Sequence, residues 1–338
     1  MSPKDVAGVF SRPFIVGHFL PAFFTLAVGA LLSTTSALPP GLVGESFAVQ
    51  LLVIGVAALP FGLLLSNVHA HVVRTFSGEA TERQVAEDHL SENGGFAWSS
   101  RRRWWLPQRW IGKAWDWVKA RLAQLQCNGI ASQQRKWDHW RARVDARSSP
   151  EVQWRRFDEE FPYDRGTVLP TRLGNAIRSY ESYSNSRYGL DGAAVWPRIE
   201  LLLSTEERAL IADARTEVTF FLNCALGTIL VALWVALEAV LPGLLSPWWL
   251  VLPLDALAAT VAFMVFQLLA VTATFRAGAP IRAAVDLHRL ELYDRLGVRR
   301  PIGPADEREL AAAVNALLLR REPLAGPLRA VGRGEPGE

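Results

Sequence analysis

Cysteine is almost missing from this chain. Cys127 falls in a polar, basic region and Cys224 in an apolar run, so no disulfide framework and no thiolate metal site is implied. Equally missing are the short signatures of common chemistry: no P-loop, GxSxG elbow, HExxH helix, CxxC pair or glycine-rich dinucleotide fingerprint occurs. Catalytic residues and cofactors are therefore left unassigned. His69 and His71 form an HxH, but side chains two apart on a helix point about 200° apart, so a shared metal would need a broken helix. No metal site is assigned. Period-two alternation and internal repeats are also lacking, which argues against a β architecture or a solenoid.

Long stretches without Lys or Arg are the next absence. Half of the 338 residues are hydrophobic, and the mean hydropathy is positive at +0.13, high for a chain surrounded by water. Four runs, about Phe14 to Ser33, Ala48 to Ser66, Val218 to Leu241 and Trp248 to Phe275, contain no Lys or Arg. Each has the length that a helix rising about 1.5 Å per residue needs to cross about 30 Å of hydrocarbon. The first follows Lys4 and Arg12 as a secretory signal would, yet its apolar run exceeds the usual signal core of roughly 7 to 15 residues, so a retained anchor is expected. The connections 34–47 and 242–247 also lack Lys and Arg, whereas residues 71–215 hold twenty-three. The positive-inside rule then places both termini and the long middle segment in the cytoplasm. The expected organisation is a cytosolic N-terminus (1–13), a first transmembrane hairpin (14–66), a cytosolic helical domain (67–216), a second hairpin (217–275) and cytosolic C-terminal helices with a tail (276–338). The fold class is all-α and polytopic. Arginine in place of lysine, with abundant alanine and tryptophan, suggests a high-GC bacterial genome, and hence the bacterial inner membrane.

Within the cytosolic domain, Ile111, Trp115, Val118, Leu122 and Leu125 recur at helical steps, and a second helix is expected over 132–146 with Trp137, Trp140 and Val144 on one side. A short helix is expected after Arg74, and another opens near Ser148 and stops at Pro162. Further helices start at Thr171 and at Pro197. Ser204, with Glu207 three residues on, is expected to cap a long helix that runs without Pro or Gly into the third span. "AGAP" (277–280) is expected to break the helix after the fourth span, and a last helix covers "GPADERELAAAVNALLL".

Between Arg101 and Arg156 there are fourteen basic and four acidic residues together with eight tryptophans. Nucleic acid would accept that charge. But the segment is tethered at both ends to a membrane, where anionic headgroups are worth about 1 kcal/mol per nearby basic residue and Trp settles well. Arg101, Arg102, Arg103, Trp104, Trp105, Trp110, Trp115 and Trp117 are therefore read as a membrane-interface set. Membrane lipids are the expected partner and nucleic acid is disfavoured. The other reading is a plain cytosolic core with solvated basic edges.

Inside the spans, His18, Asn223 and Gln267 fall in the inner half and Glu238 and Asp255 toward the outer side. Polar groups there are expensive and usually face protein or a wet path. These five are the candidate lining of an ion or small-solute route. The alternative is that the amides merely join helices, at about 0.6 kcal/mol each. Pro21, Pro60 and Pro253 can kink three of the spans.

The run "PTRLGNAIRSYESYSNSRYGLDGAAVWPRIELLL" (170–203), with the tail pattern "IRAAVDLHRLELYDRLGVRRP", resembles a motif of uncharacterised, actinobacterial-type four-span membrane proteins. The matching positions are Pro170, Thr171, Arg172, Gly174, Asn175, Arg178, Glu181, Tyr188, Gly189, Asp191, Trp196, Pro197 and Arg198, with Asp286, Arg289 and Leu290 in the tail. The aromatic, glycine-rich sequence expected after Arg74 is replaced here by "TFSGEATE". The resemblance implies kinship and no mechanism. Arg172, Arg178, Glu181, Asp191 and Arg198 are read as a cytosolic polar cluster, either a salt-bridge lattice or a ligand site. The two-hairpin layout is also similar to that of bacterial bestrophin channels, without their motifs. The expected function is that of a non-enzymatic membrane protein with a sensing or docking domain and an ion or small-solute path. Four spans give little shelter for a pore, so conduction would require a homo-oligomer. The alternatives are a scaffold or receptor subunit with an unidentified protein partner, and, more weakly, a lipid-active enzyme using Asp191 or Glu181.

Overall fold

The computed structural model describes residues 11–32, 47–79, 108–145, 151–240, 252–323 and 328. No β-strand occurs among them, and ten helices carry the fold: α1 (12–32), α2 (Phe47–Ser77), α3 (Gln108–Asp145), α4 (Glu151–Glu160), α5 (Arg172–Glu181), α6 (Tyr183–Tyr188), α7 (Gly192–Leu202), α8 (Thr205–Val240), α9 (Leu252–Arg295) and α10 (Pro304–Asn315). Four are long and apolar enough to cross a membrane, over Arg12–Ala30, Val49–Ser77, Thr205–Leu237 and Leu254–Arg295. The helical region 78–204 separates the second from the third. Two compact units emerge: unit 1 takes the chain through Val73 and then Pro197–Leu292, and unit 2 takes Arg74–Trp196 and the chain from Tyr293 onward.

Unit 1 is built around α1, and small residues let its neighbours come close. A Cβ on Gly62 of α2 would stand 3.2 Å from the Phe19 backbone, and one on Gly227 of α8 would stand 2.2 Å from Thr25 Oγ1. Ala22, Ala58 and Leu65 form one buried cluster between α1 and α2. In a bilayer such close packing of small residues takes over the role that hydrophobic collapse plays in water. Arg12 pairs with Asp213 at 3.0 Å, Gly17 meets Thr219, and Gly227 meets Thr25, so α1 and α8 run parallel. Arg276 pairs with Glu217 at 2.6 Å and His288 with Glu207 at 3.1 Å, so α9 runs antiparallel to α8. Outward-facing residues such as Leu52, Val56, Leu233, Leu254 and Leu257 are large, apolar and exposed. That is the surface a lipid-embedded bundle presents.

The start of α8 is the expected capping box. Glu207 N–H donates to Ser204 Oγ at 3.2 Å, and Ser204 N–H donates to Glu207 Oε2 at 2.8 Å. Three expectations need correction. The helices expected over 111–125 and 132–146 are one helix, α3; Gly129 is no break but a close approach, its missing Cβ leaving room for Pro170 at 3.0 Å. "AGAP" does not end the fourth long helix. Pro280 sits inside α9 because Ala277, Ile281, Ala284 and Val285 are buried, and their packing outweighs one lost backbone bond. Finally α7 begins at Gly192 rather than Pro197, since Asp191 Oδ1 accepts the Ala194 N–H at 2.9 Å and so caps the helix five residues earlier.

Unit 2 has an aromatic core in which Phe157, Phe161 and Val144 are buried against Trp137, Trp140 and Trp154. Arg141 lies 4.6 Å over the Trp154 ring, and Trp137 Nε1 donates to the Pro162 carbonyl at 3.0 Å. Side chains then fasten loops directly to backbone. Thr171 Oγ1 accepts the Gly174 N–H at 3.0 Å and donates to the Ser77 carbonyl at 2.8 Å. The Ser77 oxygen would lie 2.1 Å from any Cβ on Gly174. Fully buried Asn175 accepts from Leu169 N–H at 2.7 Å and donates to Leu169 C=O at 3.1 Å. Gly189, with φ 79°, closes α6 in the left-handed conformation. Asn315 of α10 donates to the Gly189 carbonyl at 2.8 Å and accepts from Asp191 N–H at 2.9 Å. At the start of α10, Arg299 and the Ile302 N–H both bond Asp306 and pull its carboxyl down to about 2.

Replacing Asn175 with Ala strands a buried N–H and a buried C=O of Leu169, each worth about 1–3 kcal/mol. The variant should lose roughly 2–4 kcal/mol of stability, read as a lower melting temperature of the purified protein.

Candidate polar site within the spans

The site grows from one proline. In an α-helix the Gly17 carbonyl would accept from residue 21, but Pro21 has no N–H to give. The chain answers with a wider turn: Ile15–Phe19 is π-helical, between the α-helical Arg12–Phe14 and Leu20–Leu32. Such turns relieve a local mismatch in the hydrogen-bond ladder and concentrate at functional sites. The released Gly17 oxygen accepts from Asn223 Nδ2 of α8 at 2.7 Å. Asn223 is fully buried.

That bond fixes the chemistry around it. A carbonyl only accepts, so the amide end facing Gly17 is the nitrogen, and its other N–H goes to His18 Nδ1 at 3.1 Å. Nδ1 of His18 is therefore the bare nitrogen, and its proton sits on Nε2. The His69 ring stands edge-on to His18, with centroids 5.5 Å apart. Thr219 Oγ1 gives its hydrogen to the Arg215 carbonyl at 3.0 Å, so the 3.3 Å contact with His69 Nε2 is donated by the ring. In the neutral ring His69 Nδ1 is then also bare. His69 Nδ1 and Asn223 Oδ1 are both enclosed with no hydrogen-bond partner. The cluster thus presents two uncapped acceptors and no positive group of its own.

Two cavities flank it within unit 1. One, of about 260 Å³, is bordered by His18, Thr219, Thr216, Arg208, Arg215 and Glu200. The other, of about 280 Å³, is bordered by Pro21, Thr25, Cys224, Thr228 and Asp255. His18 and Thr219 of the cluster border the first; Pro21 and Cys224, three and five residues further along the same helices, border the second, and Asn223 of the cluster directly precedes Cys224.

The structure therefore brings together His18 and Asn223 among the residues singled out from sequence, and adds His69, Thr219 and the Gly17 carbonyl. Asp255 stands in the second cavity, half-buried. Gln267 is half-buried on α9 and borders neither cavity. Glu238 is on α8, but its side chain lies outside the described residues. Helix α2 is unbroken through His69 and His71, so the two rings project from different faces. The signal for the missed members was present: a proline four residues after Gly17 announces an unpaired carbonyl, and an unpaired carbonyl calls for an amide nearby.

The polar residues of the 170–203 motif have varied partners. Arg172 pairs with Glu160 at 3.0 Å, Arg178 with Glu79 at 3.5 Å, and Asp191 caps α7. Glu181 lends its backbone to a close approach, a Cβ on Gly192 falling 2.4 Å from its carbonyl oxygen. Arg198 lies on α7. Of the interface set, Arg101, Arg102, Arg103, Trp104 and Trp105 lie outside the described residues. Trp110, Trp115 and Trp117 are on α3, with side chains outside the description. No family model matches the chain, nor does any curated protein or solved structure.

The tautomer assignment is directly measurable. Nitrogen NMR of ring-labelled protein should show His18 with a bare Nδ1 and a protonated Nε2. In Asn223→Ala that fixed pattern should give way to tautomer exchange; an unchanged His18 spectrum would remove the amide from the argument.

Proposed function

We propose that the protein is a multi-pass protein of a bacterial inner membrane, with both termini and unit 2 in the cytoplasm, whose spans hold a path for a cation or small solute. The observation that carries this reading is the pair of enclosed, unpartnered atoms His69 Nδ1 and Asn223 Oδ1, the first on a ring packed against His18 of one cavity and the second on the residue before Cys224 of the other. A bilayer penalises unsatisfied polar groups by several kcal/mol, so a chain that keeps them uncapped in its interior has a use for them. Lone pairs attract a proton, a hydrated cation or a hydroxyl-bearing solute. Asp255, the carboxylate of the second cavity, adds a preference for positive charge. The path follows α1, α8 and α9, and several copies of the chain assemble to shelter it. Unit 2, tied down by backbone clamps and ion pairs, serves as a docking or sensing body.

A second reading, a docking subunit without transport, draws support from Ile302, which is 92% exposed just before α10 and is an apolar contact waiting for a partner protein.

Liposomes containing the purified protein should pass monovalent cations, and Asp255→Asn should lower the flux or alter the selectivity. Flux identical to wild type would take Asp255 out of the path, and no flux from wild type together with a stoichiometric co-purifying protein would favour the docking reading. A reporter fused near Gln133 should be active only in the cytoplasm; activity on the other side would overturn the topology.

A further inference from the structure

We propose that the cavity between α1, α8 and α9 binds a single-chain aliphatic ammonium ion, its nitrogen on Asp255 and its chain running inward toward Cys224. This deepens the proposed path by naming what its second cavity takes, and it rests on that reading for the lipid around the spans.

Shape selects a chain. The lining runs from Asp255 to Phe266 on α9 and from Val235 back to Cys224 on α8, eleven steps of about 1.5 Å on each, or about 16 Å. A volume of about 280 Å³ spread over that length leaves a mean cross-section of about 17 Å². That is room for one extended hydrocarbon chain and too little for a fused ring system. Small residues make the room, among them Gly227, Ala232, Ala259 and Ala262. Buried Pro21 and Cys224 close the inner end, whereas Phe24, Val28 and Ala258 are exposed along the side. A ligand with an apolar tail therefore enters laterally, from the acyl chains.

Charge selects the head. Residues 13–73 and 216–275, which include all four apolar runs, hold no Lys or Arg. The first arginine after Asp255 on α9 is Arg276, 21 residues or about 31 Å along the helix, and it is taken by Glu217 at 2.6 Å. The same pair sets the register of antiparallel α8, which puts Arg215 further off still. The spans thus place a half-buried carboxylate at the cavity and supply no cation of their own to neutralise it.

The rest of the wall excludes anions. Thr25 Oγ1 gives its hydrogen to the Pro21 carbonyl and Thr228 Oγ1 to the Ala225 carbonyl, both at 2.7 Å, so each turns only lone pairs to a ligand. The Cys224 thiol is a weak donor. A fatty acid would fit the shape but finds nothing to hold its carboxylate, whereas a primary ammonium brings three N–H donors and the missing charge. The amine of a phospholipid brings a phosphate with it, which Asp255 repels.

The test uses the full-length protein in phosphatidylcholine nanodiscs and reads, by mass spectrometry of its peptides, the rate at which methylmercury chloride modifies Cys224. Cys127, exposed on α3, is the internal control. The n-decylammonium ion should slow Cys224 at least tenfold and leave Cys127 unchanged; n-decanol and decanoate, of the same chain length, should slow it less than twofold. Asp255→Asn should lose the protection, and so should Ala259→Leu, which narrows the slot and keeps the carboxylate. No protection of the wild type overturns the site, equal protection by decanol overturns the ammonium class, and full protection in Asp255→Asn overturns the role of the carboxylate. The comparison of the three ligands on the wild type needs no variant to fold. Nanodiscs of phosphatidylethanolamine without added amine should react at the phosphatidylcholine rate; protection there assigns the cavity to a lipid headgroup and overturns the single-chain ligand. Cation flux through liposomes with no protection of Cys224 would remove this ligand alone, and protection without flux would remove the path and leave the site.

Discussion

A carbonyl inside an apolar helix that loses its donor must find another, and the Gly17 carbonyl is in that position. Pro21 withdraws the helical N–H, the π-turn Ile15–Phe19 swings the oxygen clear, and Asn223 reaches it from α8 at 2.7 Å. In water such a bond nets about 1 kcal/mol; among apolar neighbours, the alternative is an orphaned carbonyl costing several. The bond therefore does three things at once. It fixes the neighbourhood of α1 and α8, it orients the amide, and through the amide it dictates which nitrogen of His18 holds a proton. The small residues follow from the same demand. With a Cβ on Gly17 standing 3.2 Å from Thr219, and with Gly227 closed against Thr25, the helices are near enough for a side chain as short as asparagine to span the gap.

Unit 2 uses the same device in a different setting. Asn175 holds both backbone groups of Leu169, Thr171 joins Ser77 to the start of α5, and Asn315 holds the turn at Gly189 to Asp191. These account physically for much of the 170–203 motif: Thr171, Gly174, Asn175, Gly189 and Asp191 each cap, clamp or make room for backbone. A short amide side chain loses little rotamer freedom and replaces two backbone partners at once. It suits loops that must be buried without a ladder of their own. Exposed ion pairs such as Arg165 with Asp138 at 2.8 Å add little to this.

What could be read from the letters divides along the range of the interaction. The four long apolar runs, the capping box at Ser204 and Glu207, and the turn at Gly189 rest on contacts within a few residues, and the pattern displays them. That His18 and Asn223 are polar residues within apolar runs was legible too. Their meeting was not, because it depends on α1 and α8 lying parallel in one register across about 200 residues of chain. Asn315 was invisible for the same reason, being 126 residues from the carbonyl it holds. "AGAP" misled in the opposite direction. Local preference says break at Pro280, and burial of Ala277 and Ile281 overrules it.

Helix α8 makes the two cavities and the polar cluster mechanically one object. Arg208, Arg215, Thr219 and Asn223 are spaced seven, four and four residues apart, within an arc of about 80° on a helix of 3.6 residues per turn. No Pro or Gly interrupts the rod before Gly227. Whatever turns Arg208 turns Asn223 by the same angle. On its other side α8 is held to α9 by Glu207 with His288 and Glu217 with Arg276, at 3.1 and 2.6 Å. Both are partly solvated pairs of the kind worth under about 1 kcal/mol. Toward α1 it is held by the buried amide bond, which is the costlier to break. A load on the exposed start of α8 should therefore yield first along α8 and α9, on the side of the cavity that carries Asp255, while the contact with α1 at Gly17 and Asn223 holds.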